Sequence, residues 1–130
     1  MTARILTALL LAASLAGCSS GSQDARASVT EAESGQTLRL AVGGELVVTL
    51  ASNPSTGFGW SYRVTPVGIL EADGDSEFLA DEPVMPGSGG RERFRFTAIG
   101  TGTTALEFEY RRAWETEPAA ATARYEVVVE

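Results

Sequence analysis

The 130-residue sequence contains no histidine, no lysine and a single cysteine, Cys18. Without histidine the chain lacks the usual general base, the commonest zinc ligand and the centre of the familiar hydrolase triads. With one cysteine, no disulfide can form within the chain, so packing alone must hold the fold. Cys18 also lies outside the patterned part of the sequence, and Ser55 and Thr56 have no evident base nearby. Carboxylates are numerous, but alternation puts most of them on solvent faces. A pair of the glycosidase kind stays open without positive support. An enzyme is not expected, and neither is a cofactor. All ten basic residues are arginines, against 17 acids, for a net charge of −7. An acidic domain without a basic patch cannot neutralise phosphate, so nucleic acid is not an expected partner.

The one long apolar run, residues 5–13, is too short to span a bilayer as a helix. With Arg4 before it, the run has the form of a secretory leader. It ends in Leu15-Ala16-Gly17-Cys18, which looks like a bacterial lipobox. Small residues let the signal peptidase take an extended chain, and Cys18 supplies the thiol that accepts the lipid. The expectation is a removed leader over residues 1–17, then an acylated Cys18 and a flexible tether over residues 18–36. Acyl chains at Cys18 would make the membrane a partner, since stable anchoring takes more than one chain. Ser19, rather than Asp, follows the cysteine. In proteins resembling Gram-negative lipoproteins this favours the outer membrane of the cell envelope.

Residues 37–130 suit one domain with one core, and a monomer is expected. They alternate with period two almost throughout. Leu38, Leu40 and Val42 share a face; after a Gly43-Gly44 turn, Leu46, Val48 and Leu50 repeat it. Phe58, Trp60, Tyr62 and Val64 form an aromatic inward face, with Trp60 expected mid-core. Further alternating runs carry Phe94 and Phe96, then Leu106, Phe108 and Tyr110, then Tyr125, Val127 and Val129. Ile69-Leu70 and Phe78-Leu79 read as short strands or buried anchors. Outward Arg91, Arg93 and Arg95 are expected to face Glu107 and Glu109. No stretch carries a helical period. The fold class is all-β, an immunoglobulin-like two-sheet sandwich of about seven or eight short strands.

Three loops stand out. Asn53-Pro54-Ser55-Thr56-Gly57-Phe58 is dense turn chemistry: proline fixes one φ, Asn and Ser cap their own backbone, and glycine permits a positive φ. Taken alone it suits an ordinary hairpin as readily as a binding loop. Gly87-Ser88-Gly89-Gly90 is no phosphate loop, because a P-loop needs a lysine and a following helix. Its glycines let backbone pass close to another surface. Arg112-Ala113-Trp114-Glu115 puts a tryptophan beyond the last alternating position, where interface anchors are typical. Asp73-Gly74-Asp75-Ser76-Glu77 invites a calcium reading but lacks the EF-hand spacing, so a solvated acidic turn is expected.

Taken together the three loops resemble the chagasin family of papain-like cysteine protease inhibitors. That family carries an Asn-Pro-Thr-Thr-Gly-aromatic loop with a Trp two residues on, a Gly-x-Gly-Gly loop and an Arg-Pro-Trp loop. Here Ser55 replaces the first Thr, Trp60 is in place, the second motif is complete, and Ala113 replaces the proline. The resemblance implies a wedge of three loops at one end of the sandwich. It makes Asn53, Pro54, Ser55, Thr56, Gly57 and Phe58 the part that enters the protease cleft, with Thr56 nearest the catalytic Cys–His pair. Gly87, Ser88, Gly89 and Gly90 would grip one side, and Arg112, Ala113 and Trp114 the other. The implied partner is a papain-like cysteine protease, inhibited reversibly and without a covalent bond. Loss of the proline at Ala113 costs stiffness, about 0.4–1 kcal/mol. The alternative is a non-inhibitory envelope lipoprotein using the same sandwich to bind protein.

Overall fold

The computed structural model describes residues 24–130. The leader and Cys18 lie outside the described residues. Eight strands are formed: β1 (Asp24–Val29), β2 (Thr37–Ser52), β3 (Phe58–Thr65), β4 (Leu70–Ala72), β5 (Glu77–Ala80), β6 (Gly90–Ala98), β7 (Gly102–Arg112) and β8 (Ala121–Val129). The expected all-β fold is thus present, and both short segments around Leu70 and Leu79 are strands.

The two layers are joined into one barrel-like sheet of order β3-β7-β8-β2-β6-β4, with β1 beside β2 and β5 beside β6. The join is β2. Its residues 37–40 run parallel to β8, while residues 45–52 run antiparallel to β6. Between them Gly43 takes φ 86°, a conformation glycine adopts without strain. A turn was expected at Gly43-Gly44; the chain there crosses from one layer to the other.

The tether expectation is corrected over residues 24–36. β1 pairs in parallel with β2, Val29 opposite Val48, and Val29 is buried. A capped 3-10 turn over Glu31–Glu33 follows. The Thr30 side chain accepts from Ala32 N, and the Glu33 carboxylate accepts from Thr30 N at 2.7 Å. The hydrogen bond from Thr30 N, with a second from Thr30 Oγ1 at 3.0 Å, holds the Glu33 carboxyl below the ordinary carboxylate value. Residues 24–36 are therefore part of the fold.

The core is apolar and aromatic, centred on Phe108, with Phe94, Phe96, Tyr62, Trp60 and Tyr125 around it at centroid distances of 5.0–6.4 Å. Trp60 is not in the middle. Among the described residues β3 pairs only with β7, and at this edge Trp60 is half-buried and Tyr62 exposed. The Trp60 indole N–H donates to Ala51 O at 3.0 Å, satisfying the polar end of the ring at the surface.

The expected arginine partners are also corrected, because β6 and β7 are not neighbours. Arg95 meets Glu45 at 2.9 Å and Arg93 meets Glu77 at 3.8 Å. Glu107 instead binds Arg63 of β3 at 2.8 Å and Arg124 of β8 at 3.1 Å.

Candidate functional site

β2 ends, and β3, β6 and β8 begin, at one end of the sheet. The three loops singled out in the sequence connect strands there. The first is a single 3-10 turn, Pro54–Thr56, held by hydrogen bonds of its own side chains and backbone. The Asn53 side-chain oxygen accepts from Ser55 N at 3.2 Å and from Ser55 Oγ at 2.6 Å. Thr56 Oγ1 donates to Asn53 O at 2.7 Å. Gly57 closes the turn at φ 80° in the left-handed region. An Asn cap with Pro at the first helical position gives a loop whose shape is fixed before any partner arrives.

This loop sits between the other two and is tied to both. On one side the Asn53 side-chain amide donates to Gly87 O at 3.1 Å, and a Cβ on Gly89 would lie 3.1 Å from Ser52 O. On the other side Arg112 reaches over it. Arg112 Nε donates to Thr56 O at 3.0 Å, its guanidinium stacks 4.4 Å above the Phe58 ring, and Nη1 meets Glu115 at 3.1 Å. The Trp114 ring lies against Gly57, where a Cβ would come 2.5 Å from its Cη2 atom. All thirteen residues predicted for the edge are therefore at one end of the molecule, with loop 53–58 in the centre.

They do different things there. Trp114 is 71% exposed, a large apolar ring left mostly in water. Ser88 shapes its own turn, its hydroxyl donating to Met85 O at 2.6 Å and accepting from Met85 N at 2.9 Å. Gly90 departs from expectation. It is buried, paired with Ser52 on β2 and with Ala80 on β5, and a Cβ there would meet Leu79 O at 2.2 Å. The close approach this glycine permits is made by β5, not by an outside surface.

Sequence reasoning missed Tyr110, Val84 and Met85. Tyr110 OH accepts from Asn53 N at 2.9 Å, and its ring stacks on Phe58 at 5.2 Å and Trp60 at 4.8 Å. It fixes the root of the central loop, a role its place in a regular alternation hid. Val84 and Met85 are 72% and 61% exposed beside the glycine loop. Their signal was an apolar pair between two prolines in an acidic stretch. Among the described residues, no three His, Cys, Asp or Glu side chains converge as a metal site. The acidic turn instead bonds to the sheet, with Asp73 accepting from Thr97 and Ser76 donating to Glu92, each at 2.6 Å.

Residues 39–129 match the family model described as Chagasin family peptidase inhibitor I42. The chain belongs to the chagasin family. Its members are protease inhibitors, not enzymes. The chain is 36% identical over 105 residues to chagasin of Trypanosoma cruzi, covering 76% of this chain and 92% of that protein. It is 31% identical over 90 residues to Amoebiasin-1 of Entamoeba histolytica, covering 67% and 83%. Among solved structures, the cysteine protease inhibitor EhICP2 of Entamoeba histolytica superposes with a TM-score of 0.72 at 25% identity, covering 81% of this chain and 96% of that one.

Proposed function

We propose that this chagasin-family chain is a reversible, non-covalent, competitive inhibitor of papain-like cysteine proteases, acting through its three-loop edge. The observation that carries this is the tying of loop 53–58 to both flanking loops, through Asn53–Gly87 and Arg112–Thr56. A papain-like thiolate is activated by an adjacent imidazolium and attacks a suitably presented carbonyl. An inhibitor must fill that cleft without offering such a carbonyl. Here the Asn53 and Pro54 carbonyls already accept hydrogen bonds from Thr56 and Gly57 inside the turn. The Thr56 carbonyl is occupied by Arg112. A loop held this way loses little entropy on binding. Thr56 is the residue we place nearest the catalytic pair, with the glycine loop and Trp114 on the two sides of the cleft. Acylation of Cys18 and retention at the outer membrane complete the reading: an inhibitor fixed to the envelope surface.

A titration of papain with residues 18–130 carrying Cys18→Ser tests the inhibitory reading. Competitive inhibition is expected. Trp114→Ala removes an aromatic anchor and should raise Ki about 30-fold, the equivalent of about 2 kcal/mol. Thr56→Trp should abolish inhibition by blocking entry. No inhibition of several papain-like enzymes at micromolar concentration would replace this reading with the non-inhibitory envelope module.

A further inference from the structure

The end of the sheet opposite the three loops has its own character. Three connecting segments meet there: residues 41–44 of β2, residues 66–69 between β3 and β4, and residues 99–101 between β6 and β7. The last two pack together, Ile99 N donating to Ile69 O at 2.9 Å and a Cβ on Gly100 meeting Gly68 O at 2.6 Å. The first lies at the same end, since Leu40 is opposite Val129 and Glu45 opposite Thr97. In a chain of net charge −7 these segments hold no charged residue. Each presents an exposed apolar side chain instead: Val42 at 51%, Val67 at 84% and Ile99 at 47%.

The chain enters the fold at this same end. Asp24 pairs with Leu40, only six residues after Cys18. Six residues reach at most about 20 Å when fully extended. If the tether ran to residue 36, an acylated Cys18 would leave the domain free to tumble. A fold in which Asp24 is already paired with Leu40 instead keeps this end close to whatever holds Cys18.

We infer that Val42, Val67 and Ile99 form a contact face for the lipid bilayer in which Cys18 is anchored, so that the three-loop edge points away from the membrane. The inference rests on the anchored reading given above. Three apolar side chains are too few to hold a free protein on a bilayer. Tethering turns the encounter into an intramolecular one and makes a small face sufficient. The charges flanking the face select the surface. Arg39–Glu130 at 3.0 Å and Arg95–Glu45 at 2.9 Å are mutually neutralised pairs, and Glu71 on β4 adds a further acid. The balance is acidic, so the fitting surface is a zwitterionic one rich in phosphatidylethanolamine, and anionic lipid would repel it.

The test uses the full chain, expressed with its own leader in a Gram-negative host and reconstituted into phosphatidylethanolamine-rich vesicles containing a spin-labelled lipid. An environment-sensitive fluorophore is attached at Val67→Cys or, as the reference at the loop end, at Val84→Cys. The mass of the N-terminal peptide reads the lipid on Cys18. The expected result is an acylated Cys18, with quenching at position 67 several-fold stronger than at position 84. In a chain probed at Val42→Cys, the pair Val67→Asp and Ile99→Asp should remove the quenching and leave papain inhibition in solution unchanged. An unmodified Cys18 would overturn the anchored reading, and the contact face with it. An acylated Cys18 with equal quenching at positions 67 and 84 would overturn the contact face alone.

Discussion

Arg112 carries an exposed loop motif, yet its guanidinium is engaged inside the protein. One nitrogen donates to Thr56 O, another meets Glu115, and the plane covers Phe58. That combination needs a planar fork and cannot be reproduced by an ammonium on a flexible stem. Arg112 is thus a positioning residue for the central loop. Arg112→Lys keeps the charge beside Glu115 but loses the bond to Thr56 O and the stacking. It should weaken papain inhibition about tenfold, on the scale of one charge-assisted hydrogen bond. Because strands β3 and β7 keep their ladder, the melting temperature should stay within a few degrees of the parent. A residue that merely filled space would be rescued equally by methionine. Arg112→Met should instead fall below lysine in affinity at equal stability, and the reverse order would remove the positioning role.

Alternation decides faces but not neighbours, and most of what the sequence left unsaid about the strands follows from that. β3 was legible from Phe58 to Thr65 because a period of two needs only local information. Its position at an edge was not legible, so Trp60 looked central when it is only partly buried. Arg93 and Arg95 were read correctly as facing outward. Their partners could not be read, since choosing between Glu45 and Glu107 requires strand order. The three loops were legible as a set because turn chemistry is local, whereas Tyr110, one position among many in a regular strand, was not. Strand order gives Glu107 a particular task, since β7 lies between β3 and β8 and its carboxylate bonds to arginines on both. The hydrogen bond from Arg63 holds the Glu107 carboxyl below its ordinary value of 4.5; the Arg124 charge adds to this and partial burial opposes it. A carboxyl depressed in the folded state stabilises the fold above its unfolded value, and that contribution is lost as pH falls through the folded one. The parent should therefore lose melting temperature as pH drops below about 4.5. Glu107→Gln should start lower at neutral pH and fall less steeply, the two curves converging in acid. Parallel curves would mean that the charge cluster is indifferent to folding.

The molecule as a whole has one core and two unlike ends, and β1 is the element that relates them. It enters at the uncharged end and runs parallel to β2 toward the loops. It then hands over to the capped turn, whose Thr30 carbonyl accepts from Tyr125 OH at 2.7 Å. Burial, with the nearby charges of Glu31 and Glu33, pushes the Tyr125 hydroxyl up to about 12, so it stays protonated and donating at any ordinary pH. In the sequence this segment looked like a tether because its residues are small, polar and charged, with only Val29 to mark a core position. Short strands that bury one side chain leave almost no periodic signal. The energetics say otherwise. Val29 is 5% exposed, and burying a valine fully is worth about 1.5–3 kcal/mol. Removing β1 would also bare one edge of β2, open Leu46 and Val48 to water, and leave the Tyr125 hydroxyl buried without its acceptor. Together these approach the 5–15 kcal/mol that holds a typical domain. A chain starting at Asp24 should melt with the parent and inhibit papain equally. A chain starting at Thr37, where the sequence alone would place the boundary, should be largely unfolded at 37 °C and inhibit weakly. The thermal melts of the two chains decide the matter: a Thr37 chain within a few degrees of the Asp24 chain would return residues 24–36 to the role of a tether. It would also lengthen the leash to Cys18 and free the uncharged end from the bilayer.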